Sequence, residues 1–568
     1  MLIIAGTIGI ILLIVGIMFY YKSVIKSKIK KEFGQVPTRK YDERDFTYIG
    51  KLHEHFPITD SVIDDATWND LQMPVMFQKM NNTQSIVGDQ YFYRHLRQQH
   101  YDKKDILEKH IQYFQENEKE RLEMQYHFRK IKGRNENKLI DLLRDRNEFP
   151  KMPYFWIYLT GFLGILVIVL MVLAYQLGYS SDYNVLGIVF MFVVSLILFS
   201  VVITPTASTV SAFNVYNNTY NSTKYLRKVL PDIFKEEKDK IIPAVKKLSK
   251  THWISSLLIE VATAQGGSMG ILTIFGIYFG IYGATFQWLR WYFGKYQKEI
   301  IDCAEVVGYI DMCISLASYR ETLKFYSKPN FVEQPCVEFK DIYHPLITNP
   351  VLNSHSLAIH HIITGANASG KSTFARTIAL SVLLGQTINI CFAKEMTYLP
   401  SEVYTSFDIG DDLLQGDSFY VAEIKRLKCF LEKSKQGKPA MFFIDEILKG
   451  TNAIERIASA SMILGKFAET NNFVCLTTHD TELTYIMEDY YKNYHFKEIT
   501  ETDEILYDYQ LYDGPTTSSN AIRLLEVMDY DTEIIQGHIM QLTHLEKLKN
   551  GRNGKWRNRD DVLAKERN

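Results

Sequence analysis

Gly365 to Thr373 reads GANASGKST and fits the pattern G-x-x-x-x-G-K-[ST], with Gly365 opening the loop, Gly370 closing it, and Lys371, Ser372 and Thr373 following. Leu357 to Thr364, just ahead, is short, apolar and rich in isoleucine, as a buried strand is. Phe374 to Leu384, just behind, carries apolar residues at helical spacing. Strand, glycine loop and helix in that order turn the loop N–H groups and the helix N-terminus toward an anionic phosphate. Lys371 is then expected to reach the β and γ phosphates of a nucleotide, and Ser372 to ligate Mg²⁺.

The parts such a loop needs lie downstream. Ala440 to Ile444 is an apolar β-type run ending in Asp445 and Glu446. Asp445 is expected to hold the Mg²⁺ shell and Glu446 to orient and deprotonate the attacking water. The spacing leaves room for a parallel sheet between the two motifs. Phe473 to Thr478 is a further strand closed by His479 and Asp480, and a histidine at that end of a strand faces the nucleotide crevice. Ile409 to Ser418, IGDDLLQGDS, precedes a helical stretch. Ser418 at that helix start is a second anion-binding device, expected to serve the nucleotide of another subunit in a homodimer with shared ATP sites.

At 568 residues the chain exceeds one hydrophobic core, and its formal net charge of −1 gives no global field for nucleic acid. The six cysteines, 303, 313, 336, 391, 429 and 475, form no C-x-x-C pair and are expected as reduced thiols, without a disulfide partner. Leu2 to Tyr21 is an uncharged apolar run followed by Lys22, Lys26, Lys28, Lys30 and Lys31, the pattern of an uncleaved transmembrane anchor with its basic side in the cytoplasm. Met152 to Thr204 reads as a transmembrane helical hairpin with cytoplasmic flanks. Residues 269–289 are apolar and glycine-rich and are taken as buried or interfacial helix.

The expected organisation is therefore an anchor over 1–21, helical core over 22–151, membrane hairpin over 152–204, further helical core over 205–330, an ATPase domain over 331–545 and a basic tail over 546–568. Within the core, Ile106 to Leu143 suggests long amphipathic helices, with Glu116 to Arg121 a solvated mixed-charge face. Ser211 to Leu258 suggests helix broken at Pro243, and Trp291 to Phe325 one further long helix. The fold class expected is an α/β P-loop ATPase domain on a parallel sheet, joined to a long-helix α core and transmembrane helices. The implied location is the cell membrane, multi-pass, with the bilayer as partner and the ATPase domain in the cytoplasm.

TGANASGKST at 364–373, DDLLQGDSFYVAE at 411–423, FFIDEILKGTN at 442–452 and TTHDTELT at 477–484 together resemble the MutS mismatch-repair ATPases, in order and spacing. His344-Pro345, the stretch DGPTTSSNAIRLL at 513–525 and, more weakly, Asp64 to Leu71 and Asn82 to Leu96 are similar as well. The resemblance implies phosphate and Mg²⁺ roles for Lys371 and Ser372, a phosphate-loop role for Asn367, and metal and water roles for Asp445 and Glu446. It also implies that Ser418 acts on the partner's nucleotide, that His479 is a switch, and that ATP with Mg²⁺ is used. DNA or mismatched DNA as a partner rests on the resemblance alone; the basic tail from Lys547 to Arg567 is the clearest stretch that could meet nucleic acid or anionic lipid. A membrane mechanochemical or scaffolding ATPase working on a protein or lipid partner stays open as the alternative.

Overall fold

The computed structural model describes residues 2–57, 61–131, 138–150, 207–263, 281–366, 368–407, 419–501 and 504–516, with isolated positions between 162 and 193. The chain divides into two compact units: Met1–Lys328 with Leu383–Cys391, and Pro329–Val382 with Phe392–Asn568.

The first unit is helical. Its described helices are α1 (Leu2–Glu32), α2 (Glu43–His55), α3 (Asp65–Asp70), α4 (Met73–Met80), α5 (Ile86–Leu96), α6 (Lys104–Glu116), α7 (Glu118–Phe128), α8 (Leu139–Arg144), α9 (Ala207–Val229), α10 (Lys235–Thr263), α11 (Ile281–Lys295) and α12 (Gln297–Arg320). Polar side chains set the starts. Asp42 and Asp45 form a reciprocal capping box at α2, while Asp64 and Ser85 accept N–H groups of the first turns of α3 and α5. Helix α12 is the centre, buried almost without interruption from Cys303 to Arg320, with α5, α6, α9 and α10 packed around it. Asp311 of α12 accepts N–H groups of Gln84 and Ser85 and the Ser85 hydroxyl (2.6 Å), which pins the α5 N-terminus. A Cβ at Gly308 would lie 2.5 Å from Tyr91 Cβ and 2.9 Å from Val87 O, so the close α5–α12 approach requires glycine there.

Among the described residues no helix is long and apolar enough to cross a membrane. This corrects the expectation of transmembrane helices, and with it the multi-pass membrane location and the bilayer partner. The apolar run from Leu2 is the first part of α1, which continues unbroken into a cationic half: Lys22 (3.2 Å) and Lys26 reach Glu123, and Lys30 reaches Glu118 (2.5 Å). The expected hairpin at 152–204 lies almost wholly outside the described residues, as do 264–280; Phe286 and Leu289, where α11 begins to be buried, lie at the end of the third apolar region.

Helix lengths also differ from the sequence reading. Residues 106–143 hold three short helices rather than long ones, and Arg121, expected on a solvated face, is buried. It donates to Phe114 O (2.6 Å) and stacks its guanidinium 3.5 Å over the Phe33 ring. Pro243 sits inside α10 without ending it; the proline and Asp239, whose carbonyl loses its N–H, are both exposed, where water can replace the missing partner. The break falls instead at Leu230 to Phe234, around Pro231, and the expected 291–325 helix is interrupted at Tyr296.

The second unit carries two sheets. Strands β1 (Asn330–Phe331), β2 (Val337–Ile342), β3 (Asn353–Leu357) and β5 (Glu395–Tyr398) form one in the order β1-β5-β2-β3. Strands β4 (His360–Thr364), β6 (Glu402–Ser406), β7 (Ala440–Asp445), β8 (Phe473–Thr477), β9 (Lys492–Glu501) and β10 (Glu504–Asp513) form the other, in the order β10-β9-β4-β8-β7-β6. Both are mixed: the larger is parallel except at its β9–β10 edge, the smaller antiparallel except where β1 meets β5. A wholly parallel sheet was expected, but a ten-residue return strand needs only a tight turn, not a crossover helix. Residues 357–364, read as one strand, hold the last residue of β3 and the whole of β4, which lie in different sheets. The helices are α13 (Lys371–Ile388, whose residues from Leu383 on belong to the first unit), α14 (Phe419–Ser434), α15 (Ala453–Ala468) and α16 (Thr481–Ile486). Leu427 and Phe430 of α14 and Leu464 and Phe467 of α15 bury against Phe442, Ile444, Val474 and Leu476 of the central strands, which fixes the strand ends where the motifs sit.

Candidate phosphate and metal site

Strand β4 ends at Thr364 and α13 begins at Lys371, so residues 365–370 form the turn between them. Two of its glycines are obligatory. Gly365 has φ +147°, and a Cβ there would meet Ser369 Oγ at 2.9 Å and Phe496 O at 3.1 Å; Gly370 has φ +100° and lies against the ring of Tyr509. Phe374 N–H donates to Gly370 O (2.8 Å), making the first turn of the helix. Lys371 is buried, and its ammonium donates back to the carbonyls of Gly365 (2.7 Å) and Ala366 (2.8 Å). Ser369 Oγ is buried in the loop with no hydrogen-bond partner among the described residues.

The neighbouring strands bring the acids. β7 pairs with β8 in register, Asp445 opposite Thr477, and β8 pairs with β4, Thr477 opposite Ile363. Asp445 Oδ1 therefore accepts the Ser372 hydroxyl at 2.8 Å and the Thr477 hydroxyl as well. Glu446 follows with φ +52°, a left-handed backbone that carries strain in a residue other than glycine, and its N–H donates to Thr477 O (2.8 Å). His479 Nδ1 stands 3.1 Å from Glu446 Oε1, with its side chain half exposed. Lys449 lies 3.9 Å from both Asp445 Oδ2 and Glu446 Oε2, offsetting the adjacent charges.

These groups edge a cavity of about 520 Å³ lined by Ala366, Gly370, Lys371, Ser372, Thr373 and Glu446, with Tyr343, Ile347, Phe496 and Tyr509 forming an aromatic and apolar wall. Tyr509 also has a left-handed backbone (φ +53°), at a register shift in the β9–β10 pairing between Tyr507 and Leu511. Asn353 holds it there, donating to Tyr509 O (2.9 Å) and accepting from Leu511 N (2.9 Å).

Gly365, Gly370, Lys371, Ser372, Thr373, Asp445, Glu446 and His479, singled out in the sequence, thus lie around one place. Asn367 and Ser418 lie outside the described residues. Sequence reasoning missed Tyr509, whose β-bulge leaves no compositional mark, and Lys449, four residues beyond Asp445. It also missed Glu423, whose carboxylate accepts from Lys449 N (3.1 Å) and from the N–H groups of Leu448 and Gly450. Asp480, beside His479, is committed to Arg456 of α15 through two hydrogen bonds of 2.8 and 2.7 Å.

The donor set fits Mg²⁺ with phosphate. Ser372 Oγ and Asp445 Oδ1 are one hydrogen bond apart, and Mg²⁺ is commonly held by one or two protein oxygens with phosphate and water completing six. Among the described residues no group of three or more His, Cys, Asp or Glu is placed to hold a metal without such help.

A glycine loop between a strand and a helix, with an acid pair at the end of a parallel strand two places away in the sheet, is an arrangement suited to binding phosphate. Residues 361–546 match the family model described as MutS domain V. That segment of the chain is therefore similar to the fifth domain of MutS proteins. Two similar proteins, each named DNA mismatch repair protein MutS, come from two strains of Thermus thermophilus. Each is 26% identical over 251 residues, 43% of this chain and 30% of the relative. The match thus spans less than a third of the length of the curated relatives.

Proposed function

We propose that this protein is a MutS-type ATPase that binds and hydrolyses ATP with Mg²⁺ in a homodimer and couples turnover to DNA, mismatched DNA included. The observation that carries the reading is the juxtaposition of Ser372 with Asp445 at 2.8 Å and of Glu446 with His479 at 3.1 Å, on the edge of the cavity that Lys371 lines. Loop N–H groups from Gly365 to Gly370, Asn367 included, and the Lys371 ammonium take the phosphates, the lysine exchanging its two carbonyl acceptors for phosphate oxygens. Ser372 and Asp445 hold Mg²⁺, which supplies charge neutralisation on the β and γ phosphates when bound, and Thr373 sits in the same first helical turn.

Glu446 accepts a proton from the attacking water, and His479 orients that carboxylate and responds to the γ phosphate. The Tyr509 and Phe496 rings, which line the same cavity, supply flat apolar surface for the base. Ser418 of one subunit completes the nucleotide site of the other, and the family resemblance is what supports that role and the coupling to DNA.

The test is steady-state ATPase turnover of the full-length protein at fixed salt, alone and with homoduplex, mismatched or branched DNA. Basal hydrolysis that one DNA form stimulates, with the stimulation lost as salt rises, is the expected result. Turnover indifferent to every DNA form would reject the coupling, and absence of hydrolysis would reject the ATPase.

A further inference from the structure

A second cavity, of about 330 Å³, lies wholly within the helical unit, between α5, the N-terminal ends of α6 and α10, and α12. That size falls at the lower end of small-ligand sites. Its charged lining is Lys103, Glu236, Glu237, Lys240 and Glu305, three carboxylates against two ammonium groups, a surplus of one negative charge.

Pairing identifies the surplus group. Lys103 is bound to Glu236 at the surface. Lys240 is bound to Glu305 and lies 3.7 Å from Asp302, while Arg94 adds a second cation to Glu305 at 2.9 Å. Glu237 has no ion pair among the described residues: its own N–H reaches its carboxylate, Lys103 and Lys240 act on it only through space, and its Oε2 is buried without a hydrogen-bond partner. Acidic residues in a first helical turn ordinarily answer the helix dipole, and exposed Glu236 suffices for that. A carboxylate oxygen out of water with no donor is costly unless something arrives to pair with it. Burial accordingly pushes the Glu237 carboxyl up from its ordinary value.

The rest of the wall is aromatic and already fixed. Tyr91 and Tyr309 meet edge to face with centroids 5.9 Å apart, and Tyr101 stands edge-on to His95 at 4.7 Å. His110 Nε2 must donate to Ile233 O (2.9 Å), so its Nδ1 accepts the Tyr309 hydroxyl at 2.8 Å, which locks that ring in place. One unpaired carboxylate among three tyrosine rings is the chemistry of an organic-cation site. A metal ion does not suit it, since no cluster of three ligating side chains is present among the described residues.

We propose that this cavity binds a small organic monocation, a primary amine or guanidine on an apolar body, with its charge on Glu237 and its body against Tyr91, Tyr101 and Tyr309. Such a ligand would tie four helices of the unit together and stabilise it by mass action. The cation can come from a free amine or from a lysine side chain of another protein; the recognising chemistry is the same.

The probe is phenethylamine, titrated calorimetrically into the full-length protein, with the unfolding midpoint followed in parallel. Saturable binding that raises the midpoint is expected, and neutral 2-phenylethanol should do neither. Glu237→Gln should weaken binding by about tenfold or more, while melting no lower than the parent, because it removes a buried unpaired charge. Glu236→Gln, whose parent side chain is tied to Lys103, should bind normally. Should Glu237→Gln fail to fold, Tyr101→Ala, which removes one wall of the cavity, is expected to lose the probe instead. A single-lysine peptide binding more tightly than phenethylamine, and losing that binding on acetylation, would support the site and name a protein as the source. Equal affinity in Glu237→Gln, equal binding of the alcohol, or no saturable binding to the parent would overturn the proposal.

Discussion

Glu446 is the residue on which the proposed hydrolysis turns. Its N–H is tied to Thr477 O and its carboxylate lies 3.1 Å from His479, so replacing the carboxylate by an amide keeps shape and hydrogen bonding but removes the proton acceptor. Glu446→Gln is expected to bind ATP with near-parental affinity and to lose roughly 10²–10⁴-fold in turnover, the usual contribution of a positioned base. Nucleotide binding and single-turnover hydrolysis, measured on the same preparation, check it; unchanged turnover would remove Glu446 from the role. At this scale the sequence was most legible where a motif prescribes geometry. A lysine after the second glycine, and acids at the end of an apolar run, can be found by spacing because the loop and strand ends demand them. Tyr509 could not, because its place depends on a register shift between β9 and β10 and on Asn353, more than 150 residues earlier in the chain.

Among the elements, α5 and α12 depend on a missing side chain. A methyl group at Gly308 would be forced against Tyr91 Cβ and the Val87 carbonyl, neither of which is the free end of a flexible chain. Gly308→Ala should therefore destabilise the helical unit by ~1–3 kcal/mol, the cost of overpacking a close contact, despite alanine's better helix propensity. Chemical denaturation gives the value, and a gain in stability would mean that the helices can separate freely. Hydrophobic period revealed that the region is helical. It did not reveal the breaks at Tyr296 or around Pro231, nor the continuity through Pro243, which holds because Pro243 and Asp239, whose carbonyl loses its N–H, are exposed to water. The apolar run at Leu2 and the lysines after it read as an anchor with its basic flank; in the fold they are one helix whose Lys26 and Lys30 pair with Glu123 and Glu118, and among the described residues no helix is long and apolar enough to cross a membrane.

For the whole molecule, two experiments ask whether the parts act together. In the helical unit, His95 is buried, pushed down to about 4 by loss of water, and its Nε2 donates to Thr387 O (3.0 Å). A histidine whose folded value is depressed contributes stability above the unfolded value of about 6.5 that is lost as pH falls toward 4. Asp311, raised to about 7 mainly by burial, works in the opposite sense over much of the same range, so the total curve mixes both. The difference between parent and variant isolates the histidine: the stability advantage of the parent over His95→Gln should shrink by about 2 kcal/mol between pH 7.5 and pH 5. A difference that stays constant would mean that His95 is already charged in the fold. The second experiment mixes subunits. Ser418→Ala and Lys371→Ala should each be defective alone, yet recover one active site when combined in a dimer, and no recovery at any ratio would argue that each subunit works by itself.

The left-handed backbone at Glu446 has a consequence outside the reaction. A glutamate at φ +52° costs about 1–3 kcal/mol that glycine would largely avoid and asparagine would reduce. A library of variants at this codon, selected for heat resistance alone, should drift toward glycine and asparagine; selected for turnover, it should hold glutamate. The gap between the two enrichments would read out, in units of fitness, how far the chain has traded comfort for chemistry at a single peptide unit.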